Sequence, residues 1–473
     1  MNISDPYSKK QHLDESFRDS VATINQEGKR NWIYALKPSG KFYKARTLLS
    51  ILYIVIFLTI PFIKYNNEPL FLFNIIERKF ILFGVIFWPQ DFFIFGIGMI
   101  TMVIFIALFT VAFGRLFCGW VCPQTIFMEM IFRKIEYLIE GDAPQQKALT
   151  KQPWNKEKIL KRGGKLVIFF LLSFIIANTF LSYIIGVDEL FKIVREPVSD
   201  HLAGFISMLV FTGVFFFVYS WFREQACIVV CPYGRLQGVL IDRDTMVVAY
   251  DYVRGEKRAK FKKNETRSYG DCIDCGQCVK VCPTGIDIRN GTQLECINCT
   301  ACIDACDFMM EKVGFKKGLI RYASENNISL GTKQRFTPRM MAYSGILTVL
   351  VGVLVFLLVT RTDVDATILR TQGQLYQEHE NNQISNLYNV KVINKTRKEM
   401  PITLKLENTD GTIELIGNNG LIAPPEGLTE GTFFVKVDKA FVKERKNKLV
   451  IGVYSEDKKI ETIKTNFLGP FIN

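Results

Sequence analysis

Five uncharged apolar stretches, two tight cysteine runs and a closing segment of short alternating strands predict a multi-domain membrane protein. The implied architecture is a five-helix transmembrane bundle, an inserted cytoplasmic two-[4Fe–4S] ferredoxin-like domain and a C-terminal immunoglobulin-like β-sandwich. At 473 residues there is room for several domains, and 49% hydrophobic beside 22% charged residues divides lipid-facing from water-facing parts. The boundaries read as a cytoplasmic N-terminal tail (1–46), a four-span membrane domain (47–240), the ferredoxin-like domain (241–339), a fifth transmembrane helix (340–361) and the sandwich (362–473).

A span needs roughly 20 apolar residues to cross ~30 Å of hydrocarbon. Thr47–Ile63, Phe92–Phe113, Leu166–Ile185, Phe205–Phe222 and Met341–Thr360 qualify, and none contains a charge, which in lipid is costly. A shorter patch at Phe80–Trp88 reads as interfacial, with Trp88 suited to the headgroup belt. Orientation follows from the basic residues. Arg115, Arg133, Lys134, Lys147 and others up to Lys165 follow the second span, against Lys64, Arg78 and Lys79 after the first and Lys192 and Arg195 after the third. Positive-inside placement then puts the N-terminus and residues 223–339 in the cytoplasm and sends the C-terminus to the other side. The formal charge of +13 is thereby topological, and nucleic acid is excluded as a partner class.

All twelve Cys lie between Cys118 and Cys306, a distribution that suits metal ligation rather than a disulfide framework. The first run is Cys272-x2-Cys275-x2-Cys278-x3-Cys282-Pro283, and the second Cys296-x2-Cys299-x2-Cys302-x3-Cys306. Three thiolates at two-residue gaps wrap one face of a cubane, and the fourth comes from the other run, as in two-cluster bacterial ferredoxins. One cluster then uses Cys272, Cys275, Cys278 and Cys306, the other Cys296, Cys299, Cys302 and Cys282. Two zinc sites would need only paired C-x2-C, a far looser pattern. The second run ends in Asp307 where the first has Pro283.

Two further pairs, Cys118-x3-Cys122-Pro123 and Cys227-x3-Cys231-Pro232, follow the second and fourth spans and suggest two related units. On a helix, residues i and i+4 share a face, so each pair presents two sulfurs together, and the proline is expected to end or kink that helix. Four thiols in apolar surroundings make a soft site that favours Cu(I), with Met128 and Met130 as possible thioethers. A further cluster, a redox dithiol and simple buried packing remain open readings. Arg115, Arg223 and Arg235 stand near these pairs, and positive-inside placement explains them without chemistry. The three histidines, His12, His201 and His379, supply no paired haem ligands within a span, and no dinucleotide or P-loop fingerprint occurs. After Thr360, Leu387–Ile393, Ile402–Leu406, Phe433–Val437 and Leu449–Tyr454 read as strands, with turns at Asn408–Gly411 and Pro424–Gly427.

The order and wording of CGWVCPQ, CIVVCPYGR, the eight-cysteine segment ending CIDACD, and GLIRY at Gly318–Tyr322 resemble the CcoG/FixG/RdxA family of cytochrome c oxidase accessory proteins. The resemblance runs over nearly the whole chain. It implies reduction of Cu(II) to Cu(I) for assembly of a cbb3-type oxidase in a bacterial inner membrane, with a periplasmic C-terminus. It also implies Cys118, Cys122, Cys227 and Cys231 as the catalytic, copper-handling set, the eight ferredoxin cysteines as relay, and oxidase assembly factors or a copper chaperone as partners beside a cytoplasmic electron donor and membrane lipid. A quinol-oxidising membrane conduit and a non-redox assembly scaffold are the alternatives.

Overall fold

The structure, a computed structural model, describes residues 22–470 apart from 25–26, 66–67, 76–78, 84, 88–90, 263–267, 334–335, 363, 372, 374, 380–381, 397, 418–419, 426 and 457. His12, Arg78, Trp88 and Glu426, all used in the sequence reading, lie outside the described residues. The chain forms two compact units that divide at Leu354/Val355, so the ferredoxin segment, the first four membrane helices and most of the fifth belong to one body.

Among the described residues five helices are long and apolar enough to cross a membrane: Lys41–Phe62, Phe92–Phe113, Lys156–Ile185, Leu202–Phe222 and Pro338–Val359. The first and third begin well before their apolar stretches, because a helix can continue into water through charged turns that hydropathy does not register. The third and fourth spans pack around Phe169, Ile176 and Tyr219, and Phe132 stacks on Tyr219 at 4.5 Å. The fifth meets the second through Met340 and Tyr343 against Val111 and Ala112. Large apolar side chains such as Val103, Val167 and Val214 stay exposed on these helices, as lipid-solvated faces do. The patch after the first span forms a three-stranded antiparallel sheet, Phe71–Asn74, Lys79–Leu82 and Val85–Phe87, whose Leu72 lies beside Gly186 at the end of the third span.

In the ferredoxin segment Val247–Tyr250 pairs antiparallel with Ile320–Ala323, and the helices Gln277–Lys280 and Ala301–Val313 follow the two cysteine runs. Val248, Ile288, Ile303, Met310 and Ile320 form its core. The described part of the N-terminal segment is a strap across this fold rather than a loose tail. Its Leu36 N–H donates to Lys280 O at 2.8 Å. At the head of the first span the Asp304 carboxylate accepts the N–H groups of Phe42 and Tyr43 at 3.2 and 2.8 Å.

The second unit is a sandwich of two antiparallel sheets. One has the order Gly411–Leu415, Leu428–Asp438, Gln383–Asn394, Val364–Arg370, with Gln377–His379 also on the third of these. The other has the order Leu421–Ala423, Met400–Leu406, Lys446–Ser455, Lys458–Leu468. Tyr388, Phe433, Val435, Leu449, Ile451 and Phe467 fill the fully buried centre. Tyr388 stacks on Phe433 at 5.6 Å and its hydroxyl donates to Asn466 O at 3.0 Å, tying one sheet to the other. The four expected strands are present. Val364–Arg370 and Lys458–Leu468 were not foreseen, the latter because lysines and a glutamate interrupt its apolar alternation.

Candidate iron–sulfur and thiol site

The two cysteine runs fold alike. In each, the second residue after the first Cys and the one after the second Cys take left-handed backbone: Asp274 and Gly276 in the first run, Asn298 and Thr300 in the second. Alternating handedness curls the chain around its own N–H groups, the arrangement that turns backbone donors toward bound sulfide. Asp, Asn and Gly accept that conformation readily, whereas Thr300 is β-branched and strained there. Its hydroxyl donates to Cys299 O at 2.6 Å. Where the first run meets Pro283 its helix ends at Lys280. The second run has Asp307 instead, so the helix continues to Val313 and the Asp307 carboxylate accepts Gly318 N–H at 2.8 Å.

Cys272, Cys275, Cys278 and Cys306 line one small cavity. Cys282, Cys296, Cys299 and Cys302 line a second, which Cys278 also touches. Each cavity therefore takes its last sulfur from the opposite run. Among the described residues no three Cys, His, Asp or Glu side chains close on a single ion. Thiols spread around a cavity, with inward-curled N–H groups, fit a multi-iron cluster better than one zinc ion.

The C-x3-C-P segments are a structural repeat at an interval of 109 positions. Each span ends at a residue of positive φ and strongly negative ψ, Gly114 (57°, −137°) and Arg223 (51°, −124°). A short helical turn carries the first Cys. The second Cys leaves the helix with extended backbone, and its N–H reaches back to Phe117 O or Ala226 O, 2.9 Å in both. The sequence expectation needs correction here. Each pair does not ride one continuous helix, and the proline does not end it. Pro123 and Pro232 open the next helix at its first position, where a missing N–H costs nothing and φ is already helical.

The two repeats meet. Cys118, Cys122, Cys227 and Cys231 lie within electrostatic range of one another, although among the described residues no three of them close on a single ion. The Cys118 thiol donates to Gln237 Oε1 at 2.9 Å, on the helix that follows the second pair, and Gln237 Nε2 donates to Thr110 at 3.2 Å in the second span. Gly234 N–H donates to Cys231 Sγ at 3.4 Å. Burial pushes Cys118 up to about 11 despite the Arg115 guanidinium beside it, and Cys227 up to about 12. Desolvation outweighs the positive charge.

The same segments sit on the ferredoxin loops. Cys118 packs in one apolar cluster with Val281, Ile297 and Cys299. Gly119 lies so close to the second run that a Cβ there would stand 2.4 Å from Ile297 O. Buried Arg46 spans the junction, its Nε donating to Gly119 O at 2.7 Å and an Nη to Cys299 O at 3.5 Å. Arg115 donates to Leu294 O and lies against Gly234. Arg115 and Arg223 are thus almost completely buried, which corrects their reading as topological charges alone. Gly119, Arg46 and Gln237 were not foreseen as site residues. Arg46 ends a basic run that positive-inside placement already explained, and nothing in a one-dimensional pattern marks Gln237.

Gly119→Ala is expected to destabilise the protein by about 1–3 kcal/mol, since the obstructing atom is a backbone carbonyl that cannot swing aside. Gly204→Ala, with open space around it, serves as the control that leaves the thermal midpoint unchanged or slightly higher. Equal midpoints for the two variants would show that the junction is looser than described.

Spans, paired cysteine loops and a dicluster fold in one body define a membrane-embedded iron–sulfur electron-transfer protein. A 4Fe–4S dicluster domain model matches residues 222–325, a 4Fe–4S binding domain model residues 95–140, and the immunoglobulin-like fold at the C-terminus of FixG residues 354–470. The chain belongs to the FixG/RdxA family. It is 34% identical over 412 residues to RdxA of Cereibacter sphaeroides, covering 84% of this chain and 86% of that one. Identity to RdxB of the same organism is 32% (84% and 88% covered), and to the nitrogen fixation protein FixG of Rhizobium meliloti 31% (80% of each).

Proposed function

We propose that the chain reduces Cu(II) to Cu(I) at Cys118, Cys122, Cys227 and Cys231, in support of assembling a cbb3-type oxidase. The observation that carries this reading is the packing of Cys118 and Gly119 directly on the Ile297–Cys299 loop, a contact short enough for electron tunnelling. Clusters held by Cys272, Cys275, Cys278 and Cys306 and by Cys296, Cys299, Cys302 and Cys282 supply one-electron storage, often near roughly −400 mV. The four thiols, Cys118 buried and the other three half-buried, are soft donors, and their apolar surroundings disfavour hydrated Cu(II), so the set favours the reduced substrate ion. Met128, buried beside the cavity that Cys227 lines, offers a thioether to the same ion. In this reading a cytoplasmic donor supplies the electron, and an assembly factor or copper chaperone accepts Cu(I). The positive-inside rule supports a cytoplasmic ferredoxin face and a periplasmic sandwich.

A quinol-oxidising conduit has one feature in its favour. An apolar cavity of about 570 Å³ lies between the third and fourth spans, with the His201–Glu196 pair at its rim. That rim is at the start of the fourth span, whose 21 residues separate it from Cys227, roughly 30 Å at 1.5 Å per residue. A quinol there is out of direct electron-transfer range, which favours the copper reading. A third cluster at the four thiols is favoured by the 4Fe–4S binding model that includes Cys118 and Cys122.

The test is anaerobic EPR with metal analysis on purified protein, reduced with dithionite and then given Cu(II). The copper reading expects about eight iron atoms per chain, cluster signals that fade together with the Cu(II) signal, and loss of that coupling in Cys122→Ser with iron retained. About twelve iron atoms would assign the four thiols to a third cluster. Persistent Cu(II) beside reduced clusters would sink copper reduction.

A further inference from the structure

A cavity of about 530 Å³ opens beside the head of the first span, on the ferredoxin side of the molecule. Three ammonium groups from three separate segments line it. Lys37 comes from the N-terminal strap, Lys44 from the first span and Lys134 from the helix Arg133–Ile139. Leu48 and Ile51 line the cavity too. Lys44, Leu48 and Ile51 stand at i, i+4 and i+7, so one helix face runs from cation to hydrocarbon. Leu48 and Ile51 are 71% and 54% exposed, on a helix read as crossing the membrane.

Lys134 Nζ donates to Thr47 Oγ1 at 3.1 Å and lies 5.4 Å from the Tyr43 ring centre, and neither partner carries negative charge. The nearby Asp142 carboxylate accepts the backbone N–H groups of Lys37 and Ala143 at one oxygen and forms no ion pair with any of the three ammonium groups. Among the described residues none of the three ammoniums is in an ion pair, whereas Lys165 on the third span is paired with both Glu136 and Glu140. Burial, then the like charges of Arg46 and Lys37, lower the Lys134 pKa, as an anion in the cavity would reverse.

We propose that this cavity binds the phosphate of an anionic phospholipid headgroup, with an acyl chain along Leu48 and Ile51. A phosphodiester satisfies three lysines at the headgroup level, and the cavity's apolar side chains account for the attached chain. A zwitterionic lipid would bring its own cation among the lysines, so phosphatidylglycerol is favoured over phosphatidylcholine. Bound there, the lipid braces the strap and the first span, the two segments that carry Leu36 and Arg46 onto the ferredoxin fold.

The experiment reconstitutes the full chain in phosphatidylcholine nanodiscs with and without phosphatidylglycerol, and records thermal midpoints and lipid retained in native mass spectra. Wild type is expected to retain phosphatidylglycerol and melt higher with it. Lys37→Gln/Lys44→Gln/Lys134→Gln is expected to lose that preference by about fivefold per lysine. A control triple of exposed lysines, Lys147→Gln/Lys151→Gln/Lys156→Gln, keeps it. Iron content verifies folding. If the pocket triple lacks iron, the single Lys44→Gln, on an exposed helix position, carries the comparison. Equal retention by pocket and control variants would overturn the proposal. So would inorganic phosphate raising the midpoint in pure phosphatidylcholine as much as phosphatidylglycerol does, which would assign the cavity to a soluble phosphate ligand.

Discussion

Cys306→Ala is expected to empty the cavity of the opposite cysteine run and leave its own run's cavity filled. Cys306 sits four residues beyond Cys302, yet it lines the cavity of Cys272, Cys275 and Cys278, while Cys282 lines that of Cys296, Cys299 and Cys302. Iron should fall by about half, since each cluster carries four of about eight atoms. The EPR signal lost should be the one that Cys275→Ala loses, and Cys282→Ala should match Cys299→Ala. The opposite pairing of variants would mean that each run closes on itself. Retention of full iron by all four would mean that these cavities do not hold the clusters. The chemical basis is that a four-residue step along the helix Ala301–Val313 carries the last sulfur away from its own loop and toward its neighbour.

The second large effect concerns stability. Glu136 is 2% exposed and its carboxylate accepts from Arg223 at 2.8 Å and Lys165 at 3.2 Å, in a network with Arg133, Glu129, Glu224 and Glu140. Arg223 also lies over the Trp32 ring at 4.6 Å, so the pair fastens the strap and the end of the fourth span to one point. Glu136→Gln leaves the Arg223 guanidinium buried without its counter-charge and should cost about 3–5 kcal/mol. Replacing both partners by apolar residues, Glu136→Leu with Arg223→Met, should recover much of that loss, because the desolvation cost leaves with the charges. A double variant no better than the single would show that the charge pair is not the cause.

The same carboxyl sets a pH dependence. Burial raises its pKa, but Arg223, Lys165 and Arg133 prevail and hold it at about 2, below the ordinary 4.5. Its contribution is complete above the unfolded value and is lost as pH falls from there through about 2. Thermal midpoints of wild type should therefore drop over that acid window, and those of Glu136→Gln should drop less. Parallel curves would remove Glu136 as the acid-labile group.

Legibility in the sequence tracks the range over which a pattern acts. The dicluster motif was readable because two-residue gaps dictate a local loop, and the cavities that the fold forms are lined by cysteines of both runs, as a fourth sulfur from elsewhere requires. The C-x3-C-P repeat was readable as a repetition, but its backbone was not. An i, i+4 rule assumes a continuous helix, and only the fold shows Cys122 and Cys231 turned out of it, with proline opening the helix that follows. The strap was invisible because extended residues such as Leu36 and Lys37 are held by backbone hydrogen bonds to distant partners, which leave no periodicity.

The sequence by itself determined the membrane class, the five spans, the dicluster motif and the sandwich, since each rests on hydropathy, spacing or alternation within one segment. Tertiary structure alone decided that the two C-x3-C-P repeats meet, that Gly119 rests on the Ile297 carbonyl, and that Arg46 reaches both Gly119 and Cys299, the latter 253 positions away in the chain. Those contacts are choices among packings of whole elements. Their energy comes from buried apolar surface and satisfied buried charge, quantities that no local pattern of residues contains.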